Sequence, residues 1–251
     1  MLIDFTDKVV LITGGTGGIG YTVSKEFLAS GASVIVIGSD KAKTQKATEE
    51  LSSLGKAYGY AVDITDTASV ERAVKAIVNE FGKIDVLVQC AGSMGGKPGL
   101  EVTEADFDKA IAVNSKALFF VMQQVVRYSM QENGGSIVNI ASMAGIRGMH
   151  PPICSAFYSA SKGAAVALTM QAAVEWAHLN IRVNAIAPGG VETEEMKSHP
   201  CPPDMIDPIP MKRLCRPEEA ADLIQFLASD KASYITGQTI VIDGGASIVG
   251  Y

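Results

Sequence analysis

The sequence predicts an α/β fold built on a doubly wound parallel sheet of about seven strands with helices on both faces. Two observations carry this expectation. Short apolar, β-branched runs alternate with longer segments of helical periodicity along all 251 residues. The first of those runs feeds a glycine-rich loop that opens a helix. No repeat, low-complexity tract or linker-like shift in composition interrupts the alternation, so residues 1–251 read as one domain.

Residues 9–12 (Val-Val-Leu-Ile) form a continuous apolar run suited to a strand buried on both faces. Thr13-Gly14-Gly15-Thr16-Gly17-Gly18-Ile19-Gly20 follows and leads into a helical pattern ending near Ser30-Gly31. Glycines let the backbone turn tightly and approach a ligand, while the helix offers unpaired N–H groups and the positive end of its dipole to an anion. Strand, glycine loop and helix in that order make a pyrophosphate cradle, as in Rossmann folds. A strand at 33–37 completes a β-loop-α-β unit with the crossover length of a parallel sheet. Helix 41–54, strand 57–62 and helix 67–81 follow, the last with apolar positions at Val70, Val74, Ile77 and Val78. Residues 84–88 are another apolar strand, ending in Gln89-Cys90-Ala91-Gly92. Helix within 107–132, strand 136–140, helix 157–178, strand 181–186, helix 217–228 and strand 239–242 complete the alternation.

Composition narrows the function. Apolar residues make up 47%, ample for a large core, and a net charge of −6 with pI near 5.1 gives no basic footprint for nucleic acid. The N-terminal residues lack a basic segment followed by a long apolar one, and no run reaches the roughly 18 apolar residues of a membrane span, so a cytoplasmic protein is expected. Cys90, Cys154, Cys201 and Cys215 are widely spaced and read as free thiols. His150, His178 and His199 form no ligand-spaced cluster, and no metal is expected.

In a doubly wound sheet the ligand site lies beyond the carboxyl ends of the strands. That rule gathers Thr13 to Gly20, Gly38-Ser39-Asp40, Asp63, Cys90-Ala91-Gly92, Ser142 and Pro188-Gly189 on one rim. The helix at 157–178 starts near Ser142 and places Tyr158 and Lys162 one turn apart, on one face. A phenol has an ordinary pKa of about 10, and a fixed cation nearby favours the phenolate, so the pair is a tunable proton donor and acceptor. Alone, the spacing equally describes a half-buried tyrosine beside a solvated lysine. Ser142 suits either a donor to a substrate oxygen or a cap for the turn at Gly145. Asn114 lies mid-helix, where its amide competes for backbone hydrogen bonds, and reads either as a kink that holds a water or as a tolerated helical asparagine.

Taken together, Thr13-Gly-x-x-x-Gly-x-Gly20, Ala91-Gly92, Asn114, Ser142, Tyr158-x-x-x-Lys162, Pro188-Gly189, Tyr234-Ile235-Thr236-Gly237 and Asp243-Gly244-Gly245 resemble the short-chain dehydrogenase/reductase family, in order and over essentially the whole chain. The resemblance implies a single NAD(P)-binding Rossmann domain with a substrate loop near 190–214. It also implies an oxidoreductase interconverting a ketone or aldehyde and an alcohol by hydride transfer. Tyr158 would be the general acid or base. Lys162 would lower its pKa and bind the nicotinamide ribose, Ser142 would polarise the substrate oxygen, and Asn114 would hold a relay water. Cofactor contacts would come from Gly14, Thr16, Gly17, Gly18, Ile19 and Gly20, from Ser39, Asp63 and Ile64, from Ala91 and Gly92, and from Pro188, Gly189, Val191 and Thr193.

Relatives that prefer NAD carry an acid at the end of strand two, where this chain has Gly38, followed by Ser39 where NADP-preferring relatives often have Arg. Asp40 serves the ribose only if the loop is shifted by two residues. The balance leans to NADP over NAD. Cys90 replaces a family asparagine, and 16 positions (158 minus 142) separate Ser142 from Tyr158, so residues 147–153 are expected to extend the substrate wall. The proline-rich stretch 192–214, with Met196, Met205, Ile206 and Met211, reads as an apolar lid. Its substrate is a small carbonyl or alcohol compound of open class. Relatives are commonly tetramers, and the apolar tail 246–251 suits such a contact. A non-catalytic dinucleotide sensor is the alternative, but it would have lost Tyr158, Lys162 or Ser142, and all three are present.

Overall fold

A computed structural model describes residues 3–149, 156–194, 196 and 203–249. Seven parallel strands form one sheet: β1 (Val9–Thr13), β2 (Ser33–Gly38), β3 (Ala57–Ala61), β4 (Val86–Gln89), β5 (Gly135–Ile140), β6 (Ile181–Pro188) and β7 (Thr239–Ile242). Their spatial order is β3-β2-β1-β4-β5-β6-β7. The order reverses between β1 and β4, where Thr13 pairs with Ile37 on one side and Gln89 on the other. A crevice opens at such a switch point because the two connections leave toward opposite faces.

The continuous apolar runs work because the inner strands feed two cores. Leu11, Ile35, Ile37, Leu87 and Ile137 point into one, and Val10, Ile12, Val34, Val36, Val88 and Val138 into the other. The first core is covered by α3 (Thr67–Phe81), by α5 (Leu118–Val125) of a segment that opens with α4 (Glu104–Ile111), and by α6 (Ala156–Trp176); the second is covered by α1 (Gly18–Ala29), α2 (Lys41–Ser52) and α7 (Pro217–Ala228). Burying each such side chain fully is worth about 1.5–3 kcal/mol, which makes the alternation the main determinant of the sheet.

Helix boundaries follow capping chemistry. The Asp66 carboxylate accepts from the N–H groups of Ala68 and Ser69 to start α3, and Gly82, at φ 81°, ends it. Thr103 and Asp106 form a reciprocal capping box that starts α4 three residues before the periodicity suggests. The helix expected within 107–132 is thereby longer and uneven: π-helical turns at Ala112–Ala117 and Val126–Met130 interrupt it. Strand β4 begins at Val86 rather than at 84, because the Ile84 N–H donates to Ser129 Oγ at 2.7 Å instead of to a neighbouring strand. No helix among the described residues is long and apolar enough to cross a membrane.

Candidate active site

The glycine loop is shaped by contacts that a side chain would fill. Gly14 sits at φ 68°, and a Cβ there would lie 2.6 Å from Ala91 N. A Cβ on Gly20 would lie 2.3 Å from Gly14 O. Both positions therefore need glycine for the loop to fold back onto the end of β4. Gly17 is extended and exposed, with nothing within 4 Å of a Cβ placed on it, and no side chain caps the N-terminus of α1. The first N–H groups of that helix thus face an open groove, which suits a pyrophosphate. A cleft of about 610 Å³ opens there, lined by Thr16, Gly17, Gly18, Lys43, Thr193 and Arg216 among others.

The rim beyond β2 is tightly determined. A Cβ on Gly38 would lie 2.6 Å from Thr44 Oγ1 and 2.7 Å from Thr16 Cγ2. No acid fits at that position without moving both threonines. Asp40 is the N-cap of α2, its carboxylate accepting from Lys43 N at 2.8 Å, so its charge already serves the helix. Ser39 is exposed. Past β3, Asp63 Oδ1 accepts from Thr65 N at 2.9 Å and Thr65 Oγ1 at 2.8 Å, while Ile64 packs against the core. Past β4, Ala91 N reaches Thr13 Oγ1 at 3.4 Å. A Cβ on the exposed Gly92 would lie 3.4 Å from Asn114 Oδ1 and 3.5 Å from Lys162 Nζ. Past β6, Pro188 closes the strand, Gly189 N donates to Ile242 O at 3.0 Å, Val191 bridges to Cys215, and Thr193 N donates to Val191 O at 2.9 Å.

The exposed rim surrounds a buried polar group. Lys162 is 5% exposed and its ammonium donates to Ile140 O at 2.7 Å. Burial pushes its pKa down to about 8, against a small opposing pull from Cys90. The Cys90 thiol, where the family places an asparagine, is itself pushed up to about 12 by burial, which keeps it neutral. Asn114, 1% exposed, occupies the first π-helical turn. Its Oδ1 accepts from Ser93 N at 2.8 Å, and its Nδ2 donates to Ser93 O and Ser161 Oγ, both at 2.9 Å. The expected kink is real, and the amide in it clamps the loop after β4 to α6. Ser161 Oγ in turn donates to Tyr158 O at 2.8 Å, one helical step from the phenol.

Ser142 follows β5 in extended conformation and caps the turn Met143–Gly145, accepting from Ala144 N at 3.2 Å. That contact uses a lone pair and leaves the O–H as a donor, so the capping and donor readings of this serine are compatible. Gly145 presses on the backbone of Lys162, where a Cβ would approach its carbonyl carbon to 2.6 Å. Ala144 shares a small apolar cluster with Phe157, Tyr158 and Ala110, joined by Val102 and Met149. Three chain segments thus bring Asn114, Ser142, Tyr158 and Lys162 to one end of the sheet.

Sequence reasoning missed Ser161 and the Ile140 carbonyl, which orient Asn114 and Lys162. Ser161 lies three residues after Tyr158 on the same helix, a signal that was available; a backbone acceptor has no residue signature. Cys90 and Cys215 are free thiols, and the described residues hold no cluster of three or more His, Cys, Asp or Glu able to bind a metal. Cys154, Cys201, His150, His199 and residues 150–153 of the extended wall lie outside the described residues. The described part of the stretch expected to form the lid contains a short helix at Pro203–Ile206 and a buried Ile209.

A glycine loop and an open helix start at the switch point of a parallel sheet, with a buried phenol and ammonium at the same end, suit a nicotinamide-dependent α/β oxidoreductase. A family model described as enoyl-(acyl carrier protein) reductase matches residues 14–247. The 3-oxoacyl-(acyl-carrier-protein) reductase of Thermotoga maritima is 41% identical over 244 residues, 96% of this chain and 98% of its own. A short-chain type dehydrogenase/reductase from Mycobacterium marinum superposes with a TM-score of 0.92 at 34% identity, over 99% of this chain and 98% of that one. For an NAD+-bound xylitol dehydrogenase the TM-score is 0.90 at 33% identity, over 96% and 99%. The chain belongs to the short-chain dehydrogenase/reductase family and is an NAD(P)-dependent enzyme that interconverts carbonyl and alcohol groups.

The lowered pKa of Lys162 has a stability consequence. Between about pH 8 and the unfolded value of about 10.4 the unfolded chain holds the proton and the folded chain does not, so folding gains as pH rises. Below pH 8 the cost of burying the ammonium is fully present. Relative to Lys162→Met, the parent should gain about 2 kcal/mol between pH 7.5 and 9.5 in denaturant titrations. A pH-independent difference between the two would refute the shift.

Proposed function

We propose that the reacting group is the Tyr158 phenol, assisted by Lys162, Ser142 and Asn114. In carbonyl reduction Tyr158 gives its proton to the substrate oxygen, and in alcohol oxidation it takes that proton back. Ser142 donates to the same oxygen and stabilises the negative charge that grows on it. The Lys162 ammonium favours the phenolate and holds the nicotinamide ribose. Asn114 fixes the loop at Ser93 and the helix at Ser161, and keeps the relay position between them. The nicotinamide, when bound, supplies or accepts the hydride. The observation that carries this reading is the burial of all four side chains at the end of the sheet where the glycine loop opens, with the exposed Gly92 against Asn114 and Lys162.

Gly14, Thr16, Gly17, Gly18, Ile19 and Gly20 hold the pyrophosphate side, Ser39, Asp63 and Ile64 the adenosine, and Ala91, Gly92, Pro188, Gly189, Val191 and Thr193 the nicotinamide side. NADP is the preferred form. Thr16 and Thr44 exclude an acid from position 38, Asp40 is committed to its cap, and Lys41 and Lys43 are exposed beside Ser39 at the start of α2. A 2′-phosphate there meets Lys41 and Lys43, with the Asp40 carboxylate turned to its cap. The substrate is a small carbonyl compound, reached beneath the lid of residues 190–214. The enzyme acts in the cytoplasm as a tetramer of single-domain chains. Met170 and Val174, one turn apart on α6, are 50% and 75% exposed, and Ile248 in the tail is 85% exposed, apolar surface that copies of the chain cover in pairs.

A panel of a 3-oxoacyl thioester, a 3-oxosteroid, a cyclic diketone and a ketose, followed by absorbance of the reduced cofactor, should give turnover with at least one. Tyr158→Phe should then lose more than 99% of kcat with NADPH affinity within about twofold of the parent; retained turnover removes Tyr158 from its role. With the best substrate, kcat/KM should be at least fivefold higher with NADPH than with NADH, and equal values would cancel the cofactor preference. Sedimentation should give the mass of four chains, and a monomer would contradict the assembly.

A further inference from the structure

The turn after β7, Asp243-Gly244-Gly245, touches the end of β6, the returning stretch 209–211 and the wall after β5, although none of its residues belongs to the reacting group. Gly244 and Gly245 lie at φ 63° and 89°, a conformation that needs glycine at both places. One side chain holds this turn together. Asp243 Oδ1 accepts from Gly245 N at 2.9 Å and Oδ2 from Ser247 N at 2.6 Å. Both carboxylate oxygens are therefore spent on backbone N–H groups two and four residues ahead, an arrangement that fixes a turn rather than a ligand.

Three independent contacts run outward from the turn. Toward β6, a Cβ on Gly189 would lie 3.0 Å from Asp243 Cβ and 3.3 Å from Met143 Sδ, so the residues following Ser142, Pro188 and Ile242 meet at one point. Toward the lid, Met211 N donates to Gly244 O at 3.2 Å, a Cβ on Gly244 would reach Ile209 Cγ2 at 2.9 Å, and one on Gly245 would reach Pro210 Cγ at 3.0 Å. Toward the wall after β5, Arg147 Nη1 donates to Ala246 O. The lid leaves the sheet at Val191, returns through Cys215, to which Val191 is bridged, and rests on this turn at 209–211. The seat of the lid is thus set by the conformation of 243–246.

We infer that Asp243 is a positioning residue for the carbonyl substrate: its carboxylate holds the turn on which the returning arm of the lid and the Arg147 wall are seated. The inference rests on the reading above that Ser142 and Tyr158 hold the substrate oxygen beneath that lid. It separates substrate from cofactor. Among the proposed cofactor positions Gly189 approaches this turn, at the Cα and Cβ of Asp243 rather than at its carboxylate, so removing the carboxylate loosens the substrate side first.

Asp243→Ala and Asp243→Asn in the full-length enzyme test this. With the best ketone of the panel, Asp243→Ala should raise KM about tenfold while the dissociation constant for NADPH, measured by fluorescence titration, stays within twofold. Asp243→Asn, which keeps one acceptor oxygen, should fall between parent and alanine variant. Trypsin, with Lys212 and Arg213 exposed beside the seated stretch 209–211, should cleave there at least fivefold faster in the alanine variant. The proteolysis needs no substrate, so it decides the latch even where the panel yields no turnover and the role of Tyr158 fails. Parental KM with parental cleavage, or losses of NADPH and ketone affinity in equal proportion, would overturn the inference. Where the alanine variant does not fold, the asparagine variant decides by the same two readouts.

Discussion

Lys162 donates from its ammonium to the carbonyl of Ile140 at 2.7 Å, and the site is arranged around the cost of keeping that charge out of water. An unpaired buried ammonium is expensive, and a lone backbone carbonyl offsets only part of the penalty. The remainder appears as the fall in pKa to about 8. In the proposed mechanism a ribose hydroxyl and the Tyr158 oxygen take up further N–H directions of this cation. The hydrogen bond also joins α6 to the end of β5, which sets Tyr158 and Ser142 relative to one another.

Burying the charge requires the surrounding backbone to come unusually close, and glycine makes that possible at several places. Gly145 brings the turn after Ser142 onto the helix backbone at Lys162, Gly14 and Gly20 fold the phosphate loop onto the end of β4, and Gly92 leaves the groove floor open above Asn114 and Lys162. The division of exposure follows: the proposed cofactor positions Gly17, Ser39, Asp63 and Gly92 are open, whereas Asn114, Ser142, Tyr158 and Lys162 are less than 10% exposed. In the proposed reading the dinucleotide lies on the exposed side, and the proton-transfer groups sit in a low-dielectric interior where each charge counts for more.

Much of this was legible in the sequence, for physical reasons. Strands buried on both faces must be apolar at nearly every position, so Val9 to Ile12 and Val34 to Ile37 announced themselves. The i, i+4 spacing of Tyr158 and Lys162 fixed their shared face before any tertiary contact was known. Asn114 was legible as an anomaly, but its partners Ser93 and Ser161 lie 21 and 47 residues away, and nothing local encodes them. The Ile140 carbonyl was invisible because every residue carries one. Gly38 read only as a missing acid; the threonines that forbid a side chain there emerge from packing. The path of residues 192–214 was illegible for a similar reason, since its seat is a turn after the last strand.

The central claim is that one buried ammonium serves both the cofactor and the proton transfer. Lys162→Met keeps the shape of the stem and removes the charge, and calorimetric titration with NADPH beside steady-state turnover measures both roles at once. The account predicts at least a tenfold loss of NADPH affinity together with loss of turnover. A variant that binds NADPH as the parent does and still turns over at a comparable rate would contradict it.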